Sequence, residues 1–169
     1  MLTRVEIKQK IPVECKYLDN NIKQHILKIL KTLMNGYCTF TDGYIIDVIK
    51  IISLGENTIS SANSLAVFNV TYEADTLIPS IGSILSGTVC MVLQNGDGIM
   101  VDVYNKIQVL IPSSNMKPYV YKLDSLSFKL NKGVKGRYIC ISNGTDIDIE
   151  IVACKYEKKQ YSCIGKIVM

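Results

Sequence analysis

The 169-residue sequence predicts an α+β domain followed by an all-β barrel. Three observations predict this. One segment alone carries the apolar period of a helix. The segments around it are rich in β-branched residues. Beyond residue 80, short strands recur between turn residues with no helical period.

Residues 2–15 read as extended, with Val5 and Ile7 alternating with Arg4 and Glu6, and Pro12 marking an edge or a break. Asp19 and Asn20 are placed to cap a helix whose apolar stripe is Ile22, Ile26, Ile29, Leu30 and Leu33. Gly36 is placed to stop it. Residues 44–52 and 64–72 read as strands, and the pieces between, 36–43 and 55–63, carry Gly, Asn, Asp and Ser and read as loops. Residues 1–80 are therefore expected to form one helix on a small antiparallel sheet.

Pro79, Gly82 and Gly87 punctuate the passage into residues 81–169. Segments 87–93 and 98–104 flank Asn95-Gly96-Asp97-Gly98, a hairpin signal. Further strands follow at 107–112, 136–142, 146–152 and 161–168. Ile147, Ile149 and Ile151 alternate with Asp146, Asp148 and Glu150, which puts isoleucines in and carboxylates out. Five or six such strands suggest a small closed barrel, of which the OB-fold is the commonest form. The stretch between Pro112 and Gly136 reads as an extra hairpin. A two-residue turn at Asp124 and Ser125 would pair Leu123 with Leu126, Tyr121 with Phe128 and Tyr119 with Leu130 on one face. Lys122 and Lys129 then point to the other.

Composition bounds the function. With 48% hydrophobic and 20% charged residues the chain is globular rather than disordered. The longest apolar run, 44–54, is interrupted by Asp47 and Lys50 and falls short of the roughly 20 residues of a membrane span. The N-terminus is charged where a secretory signal needs an apolar block, so export is not expected. Residues 1–80 hold 8 basic and 8 acidic side chains, so the whole net charge of +4 falls in the second half. That surplus suits either a polyanion-facing surface or an ordinary solvated one. The six cysteines have no zinc-ligand spacing and read as reduced core thiols.

No catalytic or metal constellation is legible. His25, the one histidine, flanks the helix with no orienting partner in sight, and no P-loop, G-x-S-x-G or G-x-G-x-x-G motif occurs. Asp146, Asp148 and Glu150 could attract a divalent cation, and a solvated outer face is the plainer reading. The chain therefore reads as a binding protein rather than an enzyme, with no metal or cofactor expected. Its most polarised stretch, 117–137, sets Lys117, Lys122, Lys129, Lys132, Lys135 and Arg137 against Asp124 and interleaves Tyr119, Tyr121 and Phe128. OB barrels bind single strands by joining a cationic groove to stacking aromatics. The hairpin register allows those aromatics to be either packed or offered to bases. Tyr104 and Lys106, at the end of a barrel strand, join the RNA-binding candidates.

The order of parts resembles a known family. The residues that carry the likeness are Asn35-Gly36-Tyr37-Cys38, then Asp42-Gly43-Tyr44-Ile45-Ile46-Asp47-Val48, Gly55, and Ala66-Val67-Phe68-Asn69-Val70-Thr71-Tyr72. Ile78-Pro79-Ser80-Ile81-Gly82 leads into Ser86-Gly87-Thr88-Val89, and the chain closes on Ile164-Gly165-Lys166-Ile167-Val168. In this order they are similar to the larger subunit of the RNA polymerase stalk, which is the seventh subunit of eukaryotic RNA polymerase II and its archaeal counterpart. The resemblance implies an RNP-like tip domain over 1–80 and a nucleic-acid-facing OB barrel over 81–169. It implies docking on core polymerase subunits through Gly36, Tyr37, Cys38, Asp42, Gly43, Gly55, Asn57 and Ile59. It implies a smaller helical stalk subunit as heterodimer partner, and weak, sequence-independent hold on single-stranded RNA. No membrane partner is implied, and the location would be the nucleus. The family's glycine-rich turn after Gly55 is replaced here by residues 58–64. The Ile, Lys and Asn content would also fit a divergent version from a large cytoplasmic DNA virus, located in the cytoplasm or virion. The alternative reading is a stand-alone RNA-binding OB protein of translation or RNA decay.

Overall fold

The computed structural model describes residues 2–34, 36–60, 65–131 and 134–168, apart from the side chain of Ser60. They divide between Ile78 and Pro79 into two compact units.

The first unit contains β1 (Thr3–Glu14), α1 (Ile22–Leu33), β2 (Cys38–Thr39), β3 (Gly43–Ser60) and β4 (Leu65–Leu77). The sheet is antiparallel in the order β1-β4-β3-β2. Pro12 lies within β1, an edge strand, where a missing N–H is tolerated. Alternation gathers Ile11, Val13, Phe68, Val70, Tyr72 and Val48 into one core, and Ile26 and Leu30 of α1 pack into it. The helix begins after Asn21, whose amide donates to Asp19 Oδ1 at 2.8 Å. Leu33, expected in the apolar stripe, is half exposed, and Met34 at the helix end takes the buried place.

Residues 55–63 are not a loop as far as they are described. β3 continues to Ser60, with Asn57, Thr58 and Ile59 facing Phe68, Val67 and Ala66. The register shifts between Leu54 and Asn57, so Gly55 and Glu56 are absorbed as a bulge, and Asn69 Nδ2 donates to the Glu56 carbonyl at 3.3 Å. A bulge admits loop-like residues without ending the ladder. Residues 61–64 lie outside the described residues. Segment 36–43 likewise holds β2, which pairs Cys38 with Tyr44 and Thr39 with Gly43.

The second unit contains β5 (Ile84–Val92), β6 (Gly98–Val103), β7 (Ile107–Pro112), β8 (Tyr119–Lys122), β9 (Ser127–Leu130), β10 (Cys140–Ile141), β11 (Asp146–Glu157) and β12 (Gln160–Ile167). β11-β12-β7-β6-β5 close into a five-stranded barrel consistent with an OB-fold, and β10-β9-β8 make a separate sheet. β12 and β7 pair in parallel. The barrel interior is aliphatic: Ile99, Val101, Ile107, Val109, Ile111 and Ile149 have no exposed surface. The acidic triplet faces out, and each member is bound to a neighbouring strand. Thr88 and Ser86 hydroxyls donate to Asp146 and Asp148 at 2.6 Å each, and Lys166 sits 3.1 Å from Glu150.

Three expectations are corrected here. Residues 136–142 do not form a barrel strand. Only Cys140 and Ile141 are extended, and they pair with β9, so the extra hairpin is a three-stranded sheet. The cause lies just upstream, where Arg137 is ion-paired to Asp148 and the Tyr138 hydroxyl accepts the Asp148 amide at 2.9 Å, fixing that segment across the barrel wall. The turn between β8 and β9 spans Leu123 to Leu126 rather than two residues, because Leu126 adopts a left-handed φ of 42°. That leaves Leu123 and Leu126 exposed instead of paired. Finally, Cys38 and Cys163 are buried, but Cys90 and Cys140 are exposed thiols rather than core.

Candidate nucleic-acid interface

Two turns build one end of the barrel. Tyr104 and Asn105, between β6 and β7, have φ of 56° and 55°, and Lys158 and Lys159, between β11 and β12, have φ of 50° and 62°. Because β7 and β12 run parallel, with Cys163 opposite Val109, the starts of both strands lie side by side. The two turns therefore adjoin. Left-handed backbone costs a side-chain-bearing residue about 1–2 kcal/mol, and such strain concentrates where a chain presents groups for use. Tyr104 is 49% exposed, and Lys158 and Lys159 are both exposed.

On the outside of the barrel lies an open groove of about 500 Å³, lined by Met100, Gln108, Leu110, Lys155, Gln160 and Ile164 among others. This is the outer surface of β6, β7 and β12, the face that OB barrels use for oligonucleotides. On the same strands Asp102 holds one carboxylate oxygen, Oδ1, buried without a partner among the described residues. Lys155 stands 2.5 Å from Glu157 at the groove edge. Lys155, Lys158 and Lys159 escape a sequence reading, because the turn carries no Gly or Asn and the strand pattern fades after Val152. The signal that remains is Glu157-Lys158-Lys159-Gln160, a charged break between two alternating runs.

The remaining candidates sit at the other end. Tyr121 of β8 packs against Gly96, in the turn between β5 and β6, which places Lys117, Lys122 and Lys129 near the start of β6 rather than its end. All three are exposed, as is Lys135. Lys132 lies outside the described residues. Arg137 is engaged by Asp148 and stacks 5.5 Å from the Tyr138 ring centroid. The Ser86 hydroxyl and Arg137 hold the Asp148 carboxyl below the usual range against its partial desolvation. The aromatics of the extra sheet are packed: Tyr119 and Phe128 are 6% and 2% exposed, and Tyr121 lies 5.4 Å from Phe128. So Lys117, Lys122 and Lys129 stand apart from Tyr104 and Lys106, toward opposite ends of the β6–β7 face, while Arg137, held by Asp148 opposite Ser86, lies toward the Tyr104 end.

In the first unit, the turn after β2 is locked by its own side chains. Asp42 Oδ2 accepts from the Thr39 and Thr41 hydroxyls at 3.0 and 3.2 Å, and the Asp42 amide donates to Thr39 Oγ1 at 2.9 Å. Gly43 follows with φ 74°, where a Cβ would meet the Leu77 carbonyl oxygen at 2.4 Å. Only glycine fits there. The locked turn holds Tyr37 and Phe40 at 41% and 71% exposure, and sequence reasoning missed Phe40. Cys38 belongs to the core rather than to a contact surface: it is buried, and burial pushes its thiol up to about 11. Gly55, Asn57 and Ile59 are exposed on the bulged end of β3. His25 has a partner after all, with Asp19 Oδ2 3.4 Å from Nε2 and the Tyr17 ring 5.1 Å away, but no second catalytic group joins them among the described residues.

No family model matches the chain. Among solved structures, the RNase R of Mycoplasma genitalium, apo and in complex with ribose methylated single-stranded RNA, aligns at 16% identity and a TM-score of 0.38. That match covers 52% of this chain and 13% of the RNase R chain, and is too slight to bear on the fold. Two plant proteins match nearly the whole sequence. DNA-directed RNA polymerase II subunit RPB7 of Glycine max is 20% identical over 171 residues, covering 99% of this chain and 92% of the plant protein. DNA-directed RNA polymerase II subunit 7 of Arabidopsis thaliana is 19% identical over the same span. The likeness runs through both units, so the chain is similar over nearly its whole length to the seventh subunit of RNA polymerase II.

Proposed function

We propose that the chain is a non-catalytic stalk subunit of a DNA-directed RNA polymerase, docking on the core enzyme through residues 1–80 and holding nascent RNA with the barrel of residues 81–169. The observation that carries this reading is the likeness to two polymerase subunits across 99% of the chain, helix-bearing unit and barrel alike. The docking end would be the locked turn with Tyr37, Phe40 and Asp42, joined by Gly36, Gly43, Gly55, Asn57 and Ile59. The RNA end would be the β6–β7 face, with Tyr104, Lys106, Lys158 and Lys159 at one side and Lys117, Lys122 and Lys129 at the other; Lys132 and Lys135 would add to the cationic surface. Arg137 contributes less, since Asp148 already neutralises it. A smaller helical subunit completes the stalk, and the assembly works in the nucleus. RNA is held through backbone charge without sequence readout, which needs no metal or cofactor.

Affinity purification of the tagged chain from its native source at low salt should recover the large catalytic polymerase subunits. Recovery of a stable monomer that binds RNA with no polymerase would replace this reading with a stand-alone RNA-binding protein.

A further inference from the structure

The edge of β8 is open, and its geometry can be read from two backbone bonds. The Asn131 amide donates to the Pro118 carbonyl at 3.3 Å, so residue 118 faces β9. The Leu130 amide donates away from β8, to the Ile139 carbonyl at 3.1 Å. Tyr119 is opposite Leu130 and Tyr121 is opposite Phe128. In an antiparallel ladder the bonded direction alternates. Val120 and Lys122 therefore bond to β9, while the N–H and C=O groups of Tyr119 and Tyr121 point outward. β8 has β9 as its one strand neighbour among the described residues, and no bond from those four groups is found there.

A groove of about 550 Å³ adjoins β8, lined by Lys117, Pro118, Tyr119, Val120 and Tyr121, by Phe128 and Asn131 on the β9 side, and by Ser113 and Gly96. Its volume is within the range of ligand sites, roughly 300–1,000 Å³. Its aromatic walls are spent: Tyr119 and Phe128 are buried and Tyr121 is wedged between Phe128 and Gly96. Stacked bases would find no free ring face there, whereas an extended peptide would find unpaired amides and carbonyls. Exposed Lys117 and Lys122 stand at the two ends of the edge, and no carboxylate lines the groove among the described residues.

We propose that the β8 edge is a strand-addition site for an extended segment of a partner protein, apolar or β-branched at its centre and acidic at its ends. Main-chain bonds to Tyr119 and Tyr121 would give affinity, and the two lysines would set register. This goes beyond the polymerase reading and does not depend on it.

The test uses the full chain and a six-residue peptide of alternating threonine and valine bounded by glutamates. In the free chain the Tyr119 and Tyr121 amides should exchange with solvent at least about tenfold faster than those of Val120 and Lys122. Peptide should slow both Tyr amides by about tenfold or more. The Tyr121→Pro variant removes an outward N–H without touching the β8–β9 ladder and should abolish the effect, while Tyr121→Val, which keeps the N–H, should retain it. Lys117→Glu with Lys122→Glu should weaken it about tenfold. Should Tyr121→Pro fail to fold, the same peptide N-methylated at its central residues serves instead, and it must not protect the wild-type amides. Unchanged exchange at millimolar peptide overturns the proposal. So does loss of binding in Tyr121→Val, which would assign the effect to the ring. Protection by oligouridine alone would mark a nucleic-acid edge, and protection rising with chain concentration alone would mark a second copy. Either would also overturn it.

Discussion

The Tyr121 ring is seated on Gly96: a Cβ at that glycine would lie 2.6 Å from Tyr121 Cγ and 2.7 Å from its Cβ. The β8–β9–β10 sheet can approach the barrel turn because residue 96 has no side chain. Gly96 also holds φ 77°, which L-residues rarely adopt. The Gly96→Ala variant should therefore lose about 2–4 kcal/mol, from overpacking near a ring root plus left-handed strain. Thermal or urea unfolding of the second unit measures this. Adding Tyr121→Ala should return part of the loss, since the two changes share one contact. An unaltered transition in Gly96→Ala would show that the sheet does not rest on this turn.

Side-chain alternation makes the pairing of Tyr119 with Leu130 and Tyr121 with Phe128 legible in the sequence, because opposite residues must share a face. The turn that joins them is not legible, since it depends on Leu126 accepting a positive φ with no glycine to advertise it. The same blindness hides Lys158 and Lys159. β3 reads as ending before Gly55 because loop-like composition at a bulge looks like a loop until its partner strand is known. The placement of Lys158 and Lys159 beside Tyr104 follows from the parallel β7–β12 pairing, and that of Lys117, Lys122 and Lys129 at the other end from the seating of Tyr121 on Gly96; no local pattern encodes either.

Tyr72 has no exposed surface, and its hydroxyl donates to Gln9 Oε1 at 3.1 Å. Burial, with Asp42 and Tyr37 adding charge repulsion, pushes the phenol up to about 12. An unfolded tyrosine ionises near pH 10. The folded state thus keeps this proton longer, and its contribution to stability is complete below about pH 10 and lost as pH climbs toward 12. Ultraviolet titration should show a late tyrosine step, near pH 12 or only on unfolding, that belongs to Tyr72. The Tyr72→Phe variant should lack that late step and lose about 1 kcal/mol with the hydrogen bond. Titration of every tyrosine near pH 10 in a folded chain would refute it.

The thiols should report the same burial pattern. Cys90 and Cys140 are exposed, and Cys38 and Cys163 are buried, with the Cys38 thiol pushed up to about 11. Thiolate is the reactive species. At pH 8 a thiol reagent should consume Cys90 and Cys140 first and reach Cys38 and Cys163 only as the chain unfolds. In denaturant all six cysteines should react. A smaller count would reveal disulfides and reject the reduced state.

Charge reversal at the two barrel ends separates the possible RNA paths. β6 and β7 are six residues each, so the face between the ends is about 20 Å long at roughly 3.3 Å per residue. An RNA touching both ends crosses that face. One touching a single end does not. Lys158→Glu with Lys159→Glu leaves the backbone strain of that turn as it was, because Lys and Glu carry the same Cβ penalty, so folding should be unchanged. Each phosphate contact on a single strand contributes about 0.7 to the slope of log affinity against log salt. If RNA crosses the face, this pair should weaken oligouridine binding and flatten the slope by about 1.4, and Lys122→Glu with Lys129→Glu should do the same independently. An effect from one pair alone confines RNA to that end. With a surplus of only +4 in the whole chain, the wild-type affinity should itself be weak and strongly salt-sensitive. If neither pair moves affinity or slope, the barrel's outer face is not where RNA binds, and the strained lysine turn must serve another ligand.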